Sequence, residues 1–306
     1  MNALTPLRFF RKKRKINQAD MLPHRNTKAY QRLEYGETEI SFNDLLVCLN
    51  SLQLTPEEYF NMIEIEKNMP ILEIEKQLKK CTQNPNNINE KNKLIDHYKK
   101  LKSIETKNSM EMALYNDIKS YFSTLWHEIE PINNKDIDNM LKIIKKNSYY
   151  TYYDYRMIVN TIILFSKEDT NFIYKKMFPI EDIENRTFRT LYVAYLFYPN
   201  RITRAIYDAD FNTANKLIQL AEQENVSPNN YYFHQKMKYL KNLVLYLTTK
   251  ENIYYAKILE VILFFEECKN FELAEDLKQE TDNLANGYKY SIEDGNIVQI
   301  FNLLPK

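Results

Sequence analysis

The stretch NTKAYQRLEYGETEISFNDL, which begins at Asn26, contains one helix end and two helix starts. The side-chain oxygen of Asn26 can accept a backbone N–H of the following turn, which caps a helix N-terminus. Tyr30 and Leu33 then fall on one helical face. Gly36 suits the left-handed conformation in which many helices end, and Ser41 can cap the next helix. The stretch therefore predicts two short helices joined by a glycine turn.

Similar signals on both sides extend this pattern to five short helices in about the first 60 residues. Upstream, TPLRFFRKKRK begins at Thr5 with proline in its first turn, and NQADML, from Asn17, is a second short helix with Ala19 and Leu22 or Met21 turned inward. Downstream, Thr55 caps the segment TPEEYFNMI. The helix after Ser41 has a broad apolar face formed by Leu45, Leu46, Cys48, Leu49 and Leu52. Together these helices predict one compact bundle.

The first 36 residues are strongly basic, although the whole chain is close to neutral. They contain nine Lys and Arg and two acidic residues, a local charge of +7, whereas the rest contains 33 Lys and Arg and 39 Asp and Glu, or −6. A basic end on an acidic body indicates a polyanion as the partner of that end. The run RKKRK, from Arg11, has two other interpretations, a solvated helix face or a localisation signal, because basic runs are common.

The helix after Asn26 has the polar side chains that a DNA-reading helix requires. Base edges in the major groove offer hydrogen-bond donors and acceptors, and Thr27, Lys28 and Gln31 can bind them. Arg25 precedes this helix and is a further candidate. Phosphate contacts need cations and helix N-termini at the rim of the interface. The candidates for these contacts are Arg11, Arg14, Gln18 and Arg32.

The order of these helices resembles the DNA-binding helix-turn-helix domain of the Xre type. The segment AYQRLEYGETEIS is especially similar to Rgg-type regulators of low-GC Gram-positive bacteria, in which the third helix enters the major groove and R-x-E-x-G closes it. The matching residues here are Arg32, Glu34 and Gly36, and Gln18 stands where the second helix usually begins with glutamine. The resemblance implies that residues 1–66 bind a double-stranded DNA operator.

Beyond Met62 the chain becomes a succession of amphipathic helices with few strand signals. Residues 67–87 are predicted to form a connecting helix and a polar loop. Helical periodicity then predicts segments at 88–102, 109–129, 134–146, 152–166, 169–177, 183–198, 210–224, 230–248, 252–267 and 270–285. Their paired spacing of roughly 35–40 residues predicts a degenerate tetratricopeptide-like domain over 88–306, in an all-α chain.

Motifs that carry catalytic or metal chemistry are absent from the sequence. Cys48, Cys81 and Cys268 lack metal-type spacing, and the four histidines form no H-x-x-x-H pair. There is no P-loop, G-x-S-x-G or dinucleotide fingerprint. No apolar run approaches the roughly 20 residues of a membrane span. We therefore expect a cytoplasmic protein with reduced thiols, no catalytic site, no metal, no cofactor and no membrane partner.

The helical body also resembles the Rgg/PrgX group, in the segments DYRMIVNTIIL, KKMFPIED and NNYYFHQKMKYLKN. That resemblance implies a homodimer whose helical domain binds a short signalling peptide. A peptide has a backbone donor and acceptor at every residue, so its groove needs amides and cations. The candidates are Arg156, Asn160, Arg189, Tyr192, Asn230, Tyr231 and Gln235, and Asn160 interrupts an otherwise apolar run.

Two functions stay open at this point. The first is a peptide-responsive transcription regulator. The second is a DNA-binding or scaffold protein whose helical domain only mediates protein–protein contacts, in which Arg156 and Arg189 are ordinary solvated or salt-bridged residues. The C-terminal segment SIEDGNIVQIFNLLPK, from Ser291, either docks permanently on the last helix pair or forms a lid hinged at Gly295.

Overall fold

The computed structural model describes residues 5–62, 70–224 and 226–287, and every regular element within them is a helix. The predicted all-α class is therefore confirmed. The chain divides into two compact units, residues 1–76 and 77–306.

Some sequence predictions stay untested by this architecture. The domain limits predicted at residues 66 and 87 remain predictions. The C-terminal segment from Ser291, with its two alternatives of lid and fixed tail, lies outside the described residues, and so does the start of the connecting segment at residues 67–69.

Over residues 5–62, the first unit contains four short α-helices and one 3₁₀ turn. They are α1 (Thr5–Lys13), the turn Gln18–Asp20, α2 (Thr27–Glu34), α3 (Phe42–Ser51) and α4 (Pro56–Asn61). The short helix predicted after Asn17 forms only as a 3₁₀ turn without a side-chain cap; Met21 and Leu22 are buried as predicted, but Ala19 is exposed. Pro23 disfavours helical conformation in the residue before it, so the segment is too short for a stable α-helix.

Side-chain caps fix the helix starts of this unit where the sequence predicts them. The Asn26 carboxamide oxygen accepts the Ala29 N–H at 2.8 Å. The Ser41 hydroxyl accepts the N–H of Asp44 at 3.2 Å. Thr55 opens α4 in the same way through a reciprocal capping box. Each cap satisfies a backbone donor that the helix itself leaves unpaired.

The end of α2 is a Schellman turn, as the glycine predicts. Gly36 has a φ of +74°, a region that costs a residue with a Cβ atom more than it costs glycine. Its N–H donates to the Leu33 carbonyl at 3.0 Å, and the Glu37 N–H donates to the Arg32 carbonyl at 2.9 Å. This turn redirects the chain so that α2 and α3 both contribute side chains to one core.

The core of the first unit collects apolar side chains from all of its helices. Its members are Leu7, Met21, Leu22, Tyr30, Leu33, Leu45, Cys48, Leu49, Leu52 and Tyr59. Leu46, which the sequence places on the apolar face of α3, is instead 42 % exposed. It lies about 100° around the helix from Leu45, and that rotation points it away from the core.

The second unit is a succession of helices, with α5 crossing the boundary between the units. The helices are α5 (Pro70–Gln83), α6 (Ile88–Ser103), α7 (Ser109–Phe122), α8 (Asn134–Lys146), α9 (Tyr152–Thr161), α10 (Lys167–Met177), α11 (Phe188–Tyr195), α12 (Phe197–Tyr207), α13 (Phe211–Gln223), α14 (Tyr231–Thr249), α15 (Asn252–Glu267) and α16 (Phe271–Ala285). Helices near in sequence pack together: α7 on α9, α9 on α11, α12 on α13, α14 on α15, and α15 on α16.

Three predicted helices of this unit have clearly different limits in the structure. The helix predicted at 152–166 is α-helical only over Tyr152–Thr161 and continues as the 3₁₀ turn Ile162–Leu164. The helix predicted at 109–129 ends at Phe122, where the indole of Trp126 folds back and stacks on the Phe122 ring, with centroids 3.9 Å apart. The Lys91 ammonium lies 5.4 Å from the centroid of the buried Trp126 ring.

The helix predicted at 183–198 is divided, and the sequence analysis missed α12 beyond it. Thr187 caps α11, and α11 ends at Tyr195. Pro199 has no N–H to donate to the Tyr195 carbonyl, so α11 cannot continue through it. The proline occupies the first turn of α12 instead, where no such donor is needed.

Candidate functional site

An exposed polar row runs along α2. Thr27, Lys28 and Arg32 are all exposed, and their side chains make no hydrogen bond or ion pair with the part of the chain that the structure describes. Thr27 and Lys28 lie in the first turn, and Arg32 follows Lys28 by one helical turn. This row can therefore bind an external partner without breaking an internal contact.

Glu34 organises the other side of α2. Its side chain is 1 % exposed and pairs with Arg11, whose Nη2 lies 2.7 Å from Oε1. The Arg11 Nε also donates to Oε2 at 3.2 Å, and Gln18 Nε2 donates to the same oxygen at 2.7 Å. Gln31 Nε2 then donates to Gln18 Oε1 at 2.9 Å. Arg11, Gln18 and Gln31, three predicted DNA contacts, are thus joined in one internal network.

The network controls the ionisation of Glu34. Burial would raise the pKa of this carboxyl, but hydrogen bonds from Arg11 and Gln18, with the charges of Arg11 and Arg8, outweigh it and lower the pKa below the ordinary value. The carboxylate therefore stays charged and holds α1 and the turn Gln18–Asp20 against α2.

Two further predicted DNA contacts have internal partners. Arg25 Nη2 lies 2.7 Å from an oxygen of the buried Asp44, and Arg14 Nη1 donates to Gln53 at 2.9 Å. About half of the Arg25 side chain is still exposed beside the start of α2. Asp44 fixes this cation near the N-terminus of the helix that carries Thr27 and Lys28. The role of Asp44 has no signal in the local sequence, because Arg25 and Asp44 meet only through the fold.

In the second unit, a buried carboxylate joins two of the candidates for peptide binding. Asp117 of α7 is 1 % exposed. Its Oδ2 accepts the Nε–H of Arg156 at 2.7 Å, and its Oδ1 accepts the Asn160 amide at 2.7 Å. Arg156 and Asn160 both lie on α9 and are 2 % and 8 % exposed. The structure therefore brings them together, as the sequence predicts, but through an acid that the sequence analysis did not identify.

The orientation of the Asn160 carboxamide follows from this contact. The ionised Asp117 can only accept, so the nitrogen of Asn160 must face it and Oδ1 must point away. Within the described residues, this Oδ1 accepts no hydrogen bond. It is therefore an acceptor held in a fixed direction by a buried charge.

Ring contacts of Arg189 and Tyr192 link α11 to α9 and to α14. The Arg189 guanidinium lies 4.2 Å from the centroid of the Tyr152 ring, which is a cation–π geometry. Tyr192 contacts Phe188 on its own helix and Tyr232 on α14, with centroid separations of 6.1 and 6.2 Å. We call Tyr152, Arg189, Tyr192 and Tyr232 the aromatic row. Burial raises the pKa of Tyr192 to about 12, so its hydroxyl stays protonated.

The three candidates at the start of α14 do not share this row. Asn230 is buried and caps α14 through the Phe233 N–H at 3.2 Å, while its own Nδ2 has no partner. Tyr231 is exposed, and Gln235 is half-buried one turn further along. Tyr232, the next residue, is the one that contacts Tyr192. Sequence reasoning therefore missed Tyr152 and Tyr232. The doubled tyrosines at both places were the available signal.

Metal chemistry has no structural support within the described ranges. No group of three or more His, Cys, Asp or Glu side chains there is arranged to hold an ion. In the same ranges, no helix combines the length and the apolar character that crossing a bilayer requires.

Replacing Glu34 with Gln should destabilise the first unit at pH 7 by about 1–3 kcal/mol, because a charged hydrogen-bond partner of Arg11 is lost. A carboxyl with a lowered folded pKa stabilises fully above its unfolded pKa of about 4.3, and this contribution is lost as the pH falls through the folded pKa. The variant should lack that part of the acid response. Hydrogen exchange of amides in α1–α3 measures both effects, with the exposed Glu37→Gln as control. Equal protection in Glu34→Gln and wild type would contradict the assignment.

Replacing Asp117 with Asn should destabilise the second unit by about 3–5 kcal/mol, because Arg156 would keep a buried charge without its counter-ion. Urea unfolding followed by circular dichroism measures this loss. Asp138→Asn on the neighbouring α8 is the control, since Asp138 makes no ion pair with any described residue. A small change in Asp117→Asn, comparable to that of the control, would show that the contact contributes little.

Neither a protein-family profile nor a curated protein sequence matches this chain. Solved structures do match. PrgX has a TM-score of 0.76, with 18% identity over 97% of this chain and 98% of PrgX. A bacterial peptide pheromone/receptor complex gives 0.75, with 19% identity over 94% and 99%. The SHP pheromone receptor Rgg2 of Streptococcus dysgalactiae gives 0.70, with 16% identity over 92% and 99%. The resemblance found in the sequence is confirmed as a shared fold: this chain has the architecture of PrgX and Rgg2.

Proposed function

We propose that this chain is a cytoplasmic, homodimeric transcription regulator that binds a double-stranded DNA operator and a short signalling peptide. The observation that carries the proposal is the shared fold with PrgX and Rgg2 over more than nine-tenths of each chain. Residues 1–66 are the DNA-binding part, residues 67–87 connect, and residues 88–306 bind the peptide and dimerise. No step of this function requires a catalytic group or a cofactor.

In the proposed DNA complex, α2 is the reading helix. Thr27 and Lys28 contact base edges from its first turn, and Arg32 contacts phosphate from the following turn. Arg11 and Gln18 contribute mainly by holding α2 through Glu34. The amide nitrogen of Gln31 donates a hydrogen bond to Gln18 Oε1. The exposed cations Arg14 and Arg25 supply further charge at the rim.

We expect the double variant Lys28→Ala/Gln31→Ala to bind DNA about 10- to 100-fold more weakly, because a lost base contact costs about 1–3 kcal/mol. The measurement uses full-length protein and a duplex that the wild type selects from a random pool. Lys93→Ala, an exposed lysine in the second unit, is the control. Binding should also weaken steeply with salt, because phosphate contacts displace condensed counterions. Unchanged binding by the double variant would remove α2 from the interface.

In the proposed peptide complex, the ligand lies along α9, α11 and α14. The Asn160 Oδ1 accepts a backbone N–H of the peptide, and the aromatic row packs against its apolar side chains. Arg189 provides a cation beside the same helices, while Arg156 contributes by pairing with Asp117, which orients Asn160. Such a ligand controls DNA binding only if it binds one arrangement of the dimer more tightly than another.

Native purification of the chain, followed by mass spectrometry, should recover a short apolar peptide. Calorimetry with that peptide should show binding that Asn160→Ala weakens by at least about threefold, because a hydrogen bond is worth about 0.5–1.5 kcal/mol. Asn242→Ala is a matched control, since Asn242 is a similarly buried amide that, within the described ranges, bonds only its own helix, at the Lys238 carbonyl. Equal weakening in both variants would move the site away from Asn160.

The homodimer has its own support in α15 and the start of α16. Leu259, Leu263 and Phe271 are exposed there, and a second copy of the chain would cover them. Two reading helices related by two-fold symmetry would double the DNA site. Sedimentation of the full chain should give a dimer at micromolar concentration, and a monomer would remove this part of the proposal.

The alternative is a DNA-binding or scaffold protein whose helical domain contacts only other proteins. The same exposed apolar residues of α15 favour it, because they serve a foreign partner as well as a second copy. Recovery of partner proteins without any peptide, together with a flat calorimetric response, would favour this function.

A further inference from the structure

Lys236 of α14 is a largely buried cation whose ammonium has no oxygen partner among the residues that the structure describes. Only 8 % of its surface is exposed. Its ammonium makes no hydrogen bond and no ion pair with any residue in the described ranges. The contact that remains is with the Tyr239 ring, whose centroid lies 5.0 Å from Nζ. An ammonium with little contact with water and no oxygen partner in the described ranges would be stabilised by a ligand that supplies an oxygen.

Glu280 is the acid with the largest electrostatic effect on Lys236, but both of its oxygens already accept hydrogen bonds from other residues. Glu280 accepts a hydrogen bond from the Tyr239 hydroxyl at 2.8 Å and another, on its second oxygen, from the Tyr207 hydroxyl. Asp276, one turn earlier on α16, has a smaller electrostatic effect on Lys236 and makes no ion pair with it. Burial lowers the pKa of Lys236, and the charges of Glu280 and Asp276 oppose that shift. The charges of Glu280 and Asp276 therefore stabilise the Lys236 ammonium without forming an ion pair with it.

The position of Lys236 connects it to the candidate peptide site. Tyr232 precedes it by one helical turn on the same face of α14, and residues four apart lie next to each other on a helix. The Tyr232 ring contacts Tyr192 of α11 at 6.2 Å and Phe265 of α15 at 6.1 Å, measured between centroids. Lys236 therefore lies next to Tyr232, the member of the aromatic row that α14 supplies.

We propose that Lys236 binds the terminal carboxylate of a short, otherwise apolar peptide whose side chains pack on the aromatic row. This inference rests on the proposed peptide-binding function and assigns the direction of the ligand: its carboxyl end lies at α14 and its amino-terminal part toward α9. An apolar peptide carries one obligatory oxyanion, its terminal carboxylate. A largely buried ammonium beside the Tyr239 ring would bind such a group through a charge-assisted hydrogen bond.

The test compares peptide acids with peptide amides. Full-length protein is incubated with a synthetic mixture of apolar octapeptides with free carboxyl ends, and the retained peptides are identified by mass spectrometry. The peptide retained most strongly is then made both as acid and as amide. Calorimetry with wild type should show the acid binding about 10- to 100-fold more tightly, as expected for a hydrogen bond between charged groups.

Lys236→Met keeps the aliphatic stem and removes the charge, and it should abolish the difference between acid and amide. The matched control is Lys238→Met on the same helix, whose ammonium is exposed and paired with Glu260 at 2.8 Å; it should preserve the difference. The melting temperature of Lys236→Met should equal or exceed that of wild type, because an unpaired buried charge has been removed.

The possible failures are distinguishable. If the acid is still preferred by Lys236→Met as strongly as by wild type, the carboxylate binds elsewhere, and the proposed function stands while this inference falls. A large drop in the melting temperature of Lys236→Met would show that the ammonium is structural, which also overturns the inference. Retention of no peptide by the wild type would count against the proposed function itself, and the assignment of Lys236 would fall with it.

Discussion

The contacts of the buried Asp117 carboxylate with α9 are the interaction around which the candidate peptide site is arranged. A carboxylate this deeply buried is tolerated only when hydrogen bonds and an opposite charge replace its water. Arg156 and Asn160 supply both from α9, one to each oxygen. These directional bonds fix the rotation of α9 against α7, and the same rotation sets where Tyr152 meets Arg189. The position of the candidate peptide site therefore follows from satisfying one buried charge.

The first unit uses the same device for a different result. Glu34 is held by Arg11 and Gln18, so the inner face of α2 is anchored while its outer face keeps Thr27, Lys28 and Arg32 exposed. In both units an acid turns cations inward and thereby decides which polar side chains stay available. Several residues predicted to touch a ligand directly thus have a positioning role that the structure adds to the prediction.

Local signals in the sequence were sufficient to predict the helix starts and the glycine turn of the first unit around Asn26, Gly36 and Ser41, because caps and glycine turns act within a few residues. Asn26, Ser41 and Gly36 behave as expected for this reason. The Asp117 contacts could not be found in this way, since its partners lie 39 and 43 positions further along the chain. The division at Pro199 could have been predicted from the missing proline N–H. Tyr231 was chosen over Tyr232 because adjacent helical residues differ by about 100° in direction, and only the packing of α14 decides between them.

Trp126 restricts the tryptophan fluorescence of the protein to its second unit. It is the one tryptophan of the chain, and it belongs to the second unit, where its ring is stacked on Phe122 beside the Lys91 ammonium. Indole emission is sensitive to solvent exposure and to nearby charge, so loss of this stacking changes both the intensity and the wavelength of the fluorescence. The first unit contains only tyrosine and phenylalanine as aromatic side chains. Tryptophan emission therefore reports the unfolding of the second unit and does not report directly on the unfolding of the first.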